Sequence, residues 1–167
     1  MSKYIVAPIA AGIMLAVAGT AQAVTKQTTF QVSATVTTNC VIGANNMLLG
    51  AFDGTNDLAS TSDITVRCTN GTPYNVHLST GNSTSFAARR LTNATTDYLV
   101  YNLYTDGSYG TVWGDTTGDS GRPAARTGAG MGTEQTWTVY GRLLASDNQR
   151  PIDVGSYSDT ITATVVY

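Results

Sequence analysis

The chain has 167 residues, 12% of them charged, with 11 acids against 9 bases for a formal net charge of -2. That balance leaves no basic surface to neutralise a phosphate backbone, which removes the main term of nucleic-acid binding, and one His with two Cys is too small a set of ligands for a structural zinc site. Thr contributes 28 residues, Gly 17 and Tyr 9, a composition of strands and turns more than of helices.

Residues 4–19 form a nearly unbroken apolar run behind Lys3, followed by Ala21, Gln22 and Ala23, the small-x-small pattern that a signal peptidase accepts. We read 1–23 as a secretory signal peptide cleaved after Ala23. A membrane anchor is the weaker reading, because the run contains Pro8 and falls short of the roughly 20 residues of a span. The mature chain is then one exported domain over 24–167, with no membrane span after cleavage. An oxidising destination makes a Cys40–Cys68 disulfide the expectation.

From Phe30 the residues alternate: Phe30, Val32, Ala34, Val36 and finally Cys40 share one parity, which predicts a long strand with one buried face. Residues 45–60 are rich in Gly and Asn around a short apolar insert from Met47 to Phe52. Ile64, Val66 and Cys68 then alternate with Thr65 and Arg67, so both cysteines face the way of their apolar neighbours. After the turn at Asn70 to Pro73, Tyr74, Val76 and Leu78 alternate with Asn75, His77 and Ser79. This third half-buried strand sends His77 to the solvent side, where it reads as a surface residue.

The run from Tyr98 to Tyr104 is apolar on both parities, the pattern of a strand covered on both faces. Residues 106–132 read as a hairpin followed by a long loop. Over 135–144, Trp137, Val139, Gly141 and Leu143 share a parity, and over 160–167, Ile161, Ala163, Val165 and Tyr167 alternate with threonines. Several short strands separated by turn signals predict an all-β sandwich.

Chemistry finds little support. The carboxylates of Asp115 and Asp119 sit at the spacing of part of a calcium loop but lack its terminal Glu, so this stretch reads as a polar turn. A nucleophile needs an adjacent base, and the one His is solitary while both Cys are expected to be bridged. Asn70, Asn82 and Asn93 open N-x-S/T sequences that a Thr-rich chain produces by chance, and Arg89–Arg90 is too short for a binding patch. Aromatic rings could stack on sugars, but more often they fill a core. We therefore expect no enzyme, no metal and no cofactor.

Four ordered stretches, Val100 to Asp106, Val112 to Asp115, Val139 to Arg142 and Gly155 to Ile161, together with the closing Tyr167 and the early cysteine pair, resemble the spore coat protein U family. Its members include the pilins of archaic, Csu-type chaperone-usher pili. The resemblance covers nearly the whole mature chain, making 30–167 the pilin-type domain, and it departs mainly at 115–132. It implies an immunoglobulin-like β-sandwich that lacks its last strand and is completed by a donor strand from a partner. A sandwich with that gap exposes an apolar groove beside unpaired backbone, which invites strand addition.

By the resemblance, a periplasmic chaperone fills the groove first and the neighbouring pilin subunit next, with an outer-membrane usher assembling a head-to-tail polymer. The chain would pass through the periplasm and end in a pilus on the cell surface, serving adhesion and biofilm formation. The donor must be extended and alternately apolar; residues 24–36, overlapping the first strand, supply Phe30, Val32, Ala34 and Val36 as the pocket-filling set. The same stretch also reads as the first strand of its own domain. At the other end, Ile161, Ala163, Val165 and Tyr167 would border the groove, with the terminal carboxylate gripped by the chaperone, or would be ordinary core residues of a complete sandwich. The alternatives in function are a secreted spore or cyst coat or matrix protein, and a carbohydrate-binding adhesin.

Overall fold

The computed structural model describes residues 22–115 and 126–167. The signal peptide over 1–23 lies outside them except for its last two residues, as does Asp119 of the acidic turn. Two compact units are present, Met1–Thr35 and Val36–Tyr167. In the first, residues 22–35 join no strand and their side chains are exposed.

Among the described residues the second unit holds eight strands: β1 Cys40–Ala44, β2 Leu58–Cys68, β3 Pro73–Leu78, β4 Arg89–Thr92, β5 Tyr98–Tyr104, β6 Arg126–Ala129, β7 Gln135–Leu143 and β8 Ala163–Val166. They form a five-stranded sheet in the order β1-β2-β7-β5-β4 and a three-stranded sheet in the order β6-β3-β8. Every pairing is antiparallel. The alternation expected of β2, β3 and β7 is realised as burial: Ile64, Val66 and Cys68, then Tyr74, Val76 and Leu78, then Val139 and Leu143 all enter the core. β5 is closed on both faces, with Leu99, Tyr101 and Leu103 buried on one and Asn102 on the other.

Arg89 and Trp113 carry polar groups into this interior. The fully buried Arg89 donates through Nε to the Ser79 carbonyl at 3.0 Å, through Nη1 to Asn102 Oδ1 at 2.8 Å and through Nη2 to the Trp113 carbonyl at 2.7 Å. Trp113, also fully buried, donates its indole N–H to the Val76 carbonyl at 2.8 Å and so ties the two sheets together. Each is tolerated because its donors meet acceptors.

The structure departs from the expected elements at four places. The strand expected from Phe30 begins only at Cys40, because residues 30–39 have no ladder partner among the described residues and stay exposed. His77 is half-buried, since β3 is the central strand of its sheet and is flanked by β6 and β8. The stretch 106–132 contains β6, which pairs Arg126–Ala129 with Val76–Pro73. The closing strand is shorter than 160–167, because Ser158 bridges to Thr92 on the five-stranded sheet before the chain crosses to β3.

Candidate functional site

The three-stranded layer is too narrow for the five-stranded layer it covers. β8 pairs with β3 on one side, and among the described residues no strand pairs with its other edge. Beyond that edge lies a cavity of about 590 Å³, walled by residues 44–50 on one side and by Tyr157, Ser158, Asp159, Ile161 and Ala163 on the other. Its floor is the core itself, including Ile64, Leu91, Tyr101, Leu103 and Val139. A second cavity of about 720 Å³ shares Leu49, Gly50, Leu91 and Tyr157 with the first and continues toward Leu58, Leu143 and Ile152. Together they make one groove.

The first wall is pinned at its start, where the Asn45 N–H donates to the Asp63 carbonyl at 3.0 Å and the Ser62 hydroxyl to the Asn45 carbonyl at 2.7 Å. Residues 46–51 then join no strand. Met47 and Leu49 dip onto Gly141 of β7, where a Cβ would stand 2.2 Å from the Met47 sulfur and 3.3 Å from Leu49 Cδ2. Glycine at this core-facing position makes room for the wall.

The second wall is stitched by its own polar groups. The carboxylate of Asp159 accepts from the Tyr101 hydroxyl, the Asn82 N–H and the Thr160 N–H, each at 2.7 Å. Burial pushes the Tyr101 phenol far above its ordinary pKa, and the bond to Asp159 adds to the effect. The Tyr157 hydroxyl lies 2.8 Å from Asp97 Oδ2 and 2.7 Å from the Asp153 carbonyl. The Asp153 N–H, followed by that hydroxyl, holds Asp97 below the usual carboxylate range. Ser79 accepts from the Thr162 N–H at 2.9 Å and fastens the chain entering β8.

Of the expected site residues, Ile161 and Ala163 line the groove. Val165 packs with them against the core, whereas Tyr167 is 56% exposed and lies beyond the cavity lining. Cys40 and Cys68 stand opposite each other in the β1–β2 register and are bonded. Phe30, Val32 and Val36 are 86%, 82% and 82% exposed, and Ala34 is exposed as well. Sequence reasoning missed the Met47–Leu49 wall and the Tyr101–Asp159 pair. The available signal was Gly141 at a core parity, which announces that another segment approaches.

An apolar floor beside an unpaired strand edge can hold an extended backbone: main-chain hydrogen bonds form along β8 while alternate side chains descend into the groove. Among the described residues there is no group of three or more His, Cys, Asp or Glu placed to hold a metal, and no helix long and apolar enough to cross a membrane.

A solved structure shares this architecture. It is described as the CsuC-CsuE chaperone-tip adhesion subunit pre-assembly complex from archaic chaperone-usher Csu pili of Acinetobacter baumannii, and it matches with a TM-score of 0.56 at 23% identity. The match takes in 80% of this chain and 41% of that one, so the chain spans less than half of the protein it overlays. In sequence, the chain is 30% identical to Protein U of Myxococcus xanthus over 99% of its own length and 98% of that protein's. Residues 26–164 match the Spore Coat Protein U domain, which takes in the groove, both of its walls and the disulfide, and the chain therefore belongs to that family.

Proposed function

We propose that the chain is a structural subunit of a surface pilus, assembled head to tail by strand donation in a chaperone-usher pathway. The observation that carries this reading is the groove beside the unpaired edge of β8. The donor is the arm of the next copy, residues 24–36, whose Phe30, Val32, Ala34 and Val36 share one parity and lie exposed. Burying Phe30, Val32 and Val36 would contribute on the order of 1.5–3 kcal/mol each. The contact is heterologous and does not close, so repetition yields a filament.

Before assembly a periplasmic chaperone occupies the groove, and an outer-membrane usher carries the subunit to the surface; the solved complex of a chaperone with a pilus subunit supports this route. The finished fibre serves adhesion and biofilm growth. Co-expression with and without a chaperone is the test: the chain should be recovered as a one-to-one complex with it and as aggregate or polymer without it. A stable monomer that never polymerises would overturn the proposal. The family's description as spore coat favours a second reading, a coat or matrix protein assembling without chaperone or usher. Surface assembly in cells lacking both would support that one.

A further inference from the structure

The root of the arm is gripped by one side chain. The Thr69 N–H donates to the Asn39 carbonyl at 2.9 Å, and the Asn39 N–H donates back to Thr69 Oγ1 at 3.2 Å. The Thr69 hydroxyl lies 3.2 Å from the Thr37 carbonyl and 3.3 Å from that of Asn39, and donates to one or the other. One residue further in, Cys40 and Cys68 are opposite each other and bonded. Thr69 itself sits in a crowded turn: its carbonyl accepts from the Thr72 N–H at 3.0 Å, and a Cβ on Gly130 would stand 2.2 Å from its oxygen.

We infer that Thr69 is the positioning residue of the amino-terminal arm, its hydroxyl and the adjoining disulfide fixing the point at which the arm leaves the domain. The inference rests on the arm being the donor strand. Residue 36, the last of the pocket-filling set, stands three residues before Asn39, whose N–H and carbonyl are both held by Thr69, so there is little slack between donor strand and domain. β1 is the outer strand of its sheet, paired only from Cys40 to Ala44. A pull on the arm would peel such a strand pair by pair from its Cys40 end, and the bridge at that first pair passes the pull to β2, which is paired on both edges. The joint between successive copies is therefore stiff at its root, where Thr69 holds it.

The test compares the wild-type chain with Thr69→Val, which removes the hydroxyl, and Thr69→Ser, which keeps it. In the chaperone-held subunit, Asn39 amide exchange should rise about three- to tenfold in Thr69→Val, the equivalent of one hydrogen bond, and stay slow in Thr69→Ser. Fibres of Thr69→Val should show a shorter bending persistence length in electron micrographs, with the unfolding midpoint lowered by no more than the loss of that one hydrogen bond accounts for. Fibres of unaltered stiffness with unaltered Asn39 exchange would overturn the role of Thr69 while leaving strand donation standing. Absence of wild-type fibres would overturn both. If Thr69→Val is not recovered, the wild type decides alone: an Asn39 amide exchanging as fast as an unbonded one contradicts the grip.

Discussion

The hydroxyl of Tyr101 stands 2.7 Å from Oδ2 of Asp159, tying β5 in the floor of the groove to the wall that leads into β8. This bond keeps the wall in place while the groove is open, when no donor strand supports it from the other side. A groove that collapsed would bury its own apolar floor and lose its capacity to receive a strand.

Tyr101→Phe should therefore lower stability by about 1.5 kcal/mol, the low end for a hydrogen bond to a charged acceptor, since Asp159 keeps the N–H groups of Asn82 and Thr160. Denaturant unfolding of the chaperone-held subunit, variant against wild type, measures it. The pH dependence has a definite sign. The folded-state pKa of Tyr101 is raised above the ordinary value of 10.0, so its contribution is complete below pH 10 and is lost as the pH rises beyond it. The wild-type midpoint should fall more steeply above pH 10 than that of Tyr101→Phe.

Removing the disulfide with Cys40→Ser and Cys68→Ser should cost about 3–4 kcal/mol by loop closure, given a sequence separation of 28. Because the bridge joins the end of an edge strand to its neighbour, the loss should appear first as faster amide exchange in Val41–Ala44, ahead of global unfolding.

Gly141→Ala should destabilise by about 1–3 kcal/mol, the usual cost of overpacking, because the new methyl would collide with the Met47 sulfur. The damage should be local: Met47 leaves the wall, and exchange of the Asn45 N–H, which bonds the Asp63 carbonyl, accelerates while β2 and β3 stay protected. Equal acceleration in all of them would contradict the packing described.

In acid, Asp97 and Asp106 are the groups to watch. The folded-state pKa of Asp97 lies below the ordinary 3.8, with the Asp153 N–H as the first cause and the Tyr157 hydroxyl as the second. Its contribution is therefore present above pH 3.8 and lost as the pH falls below it. Asp106, held at about 2 chiefly by the Ser108 hydroxyl and the Gly110 N–H, follows the same rule: its contribution is lost as the pH falls from 3.8 toward 2. Asp97→Asn and Asp106→Asn should each flatten the fall in unfolding midpoint as the pH drops from 4 to 3, Asp106→Asn the more of the two.

The strands that face the core on one side were legible because their burial follows a period of two: Tyr74, Val76 and Leu78 announce β3, and Val139 with Leu143 announces β7. β6 was not, because its Arg126–Ala129 stretch carries no apolar alternation and is held by pairing to β3, with Gly128 pressed against the Tyr74 ring. Phe30 to Val36 show the complementary failure. Alternation records that a strand is meant to be buried, but it cannot say in which molecule, and in this chain those side chains are exposed. The groove was expected from the family resemblance alone, since periodicity cannot show a place where no strand stands, assembled from Leu49, Tyr101 and Ile161, which lie far apart in sequence.

The vacant place beside β8 is tested most directly by amide exchange across residues 24–36, measured once in the chaperone-held subunit and again in the polymer. The arm should exchange at solvent rates in the first and become as protected as β3 in the second, with new protection along the outer edge of β8 to match. An arm that remains unprotected in the polymer, or that is already protected in a solitary folded monomer, would contradict the account.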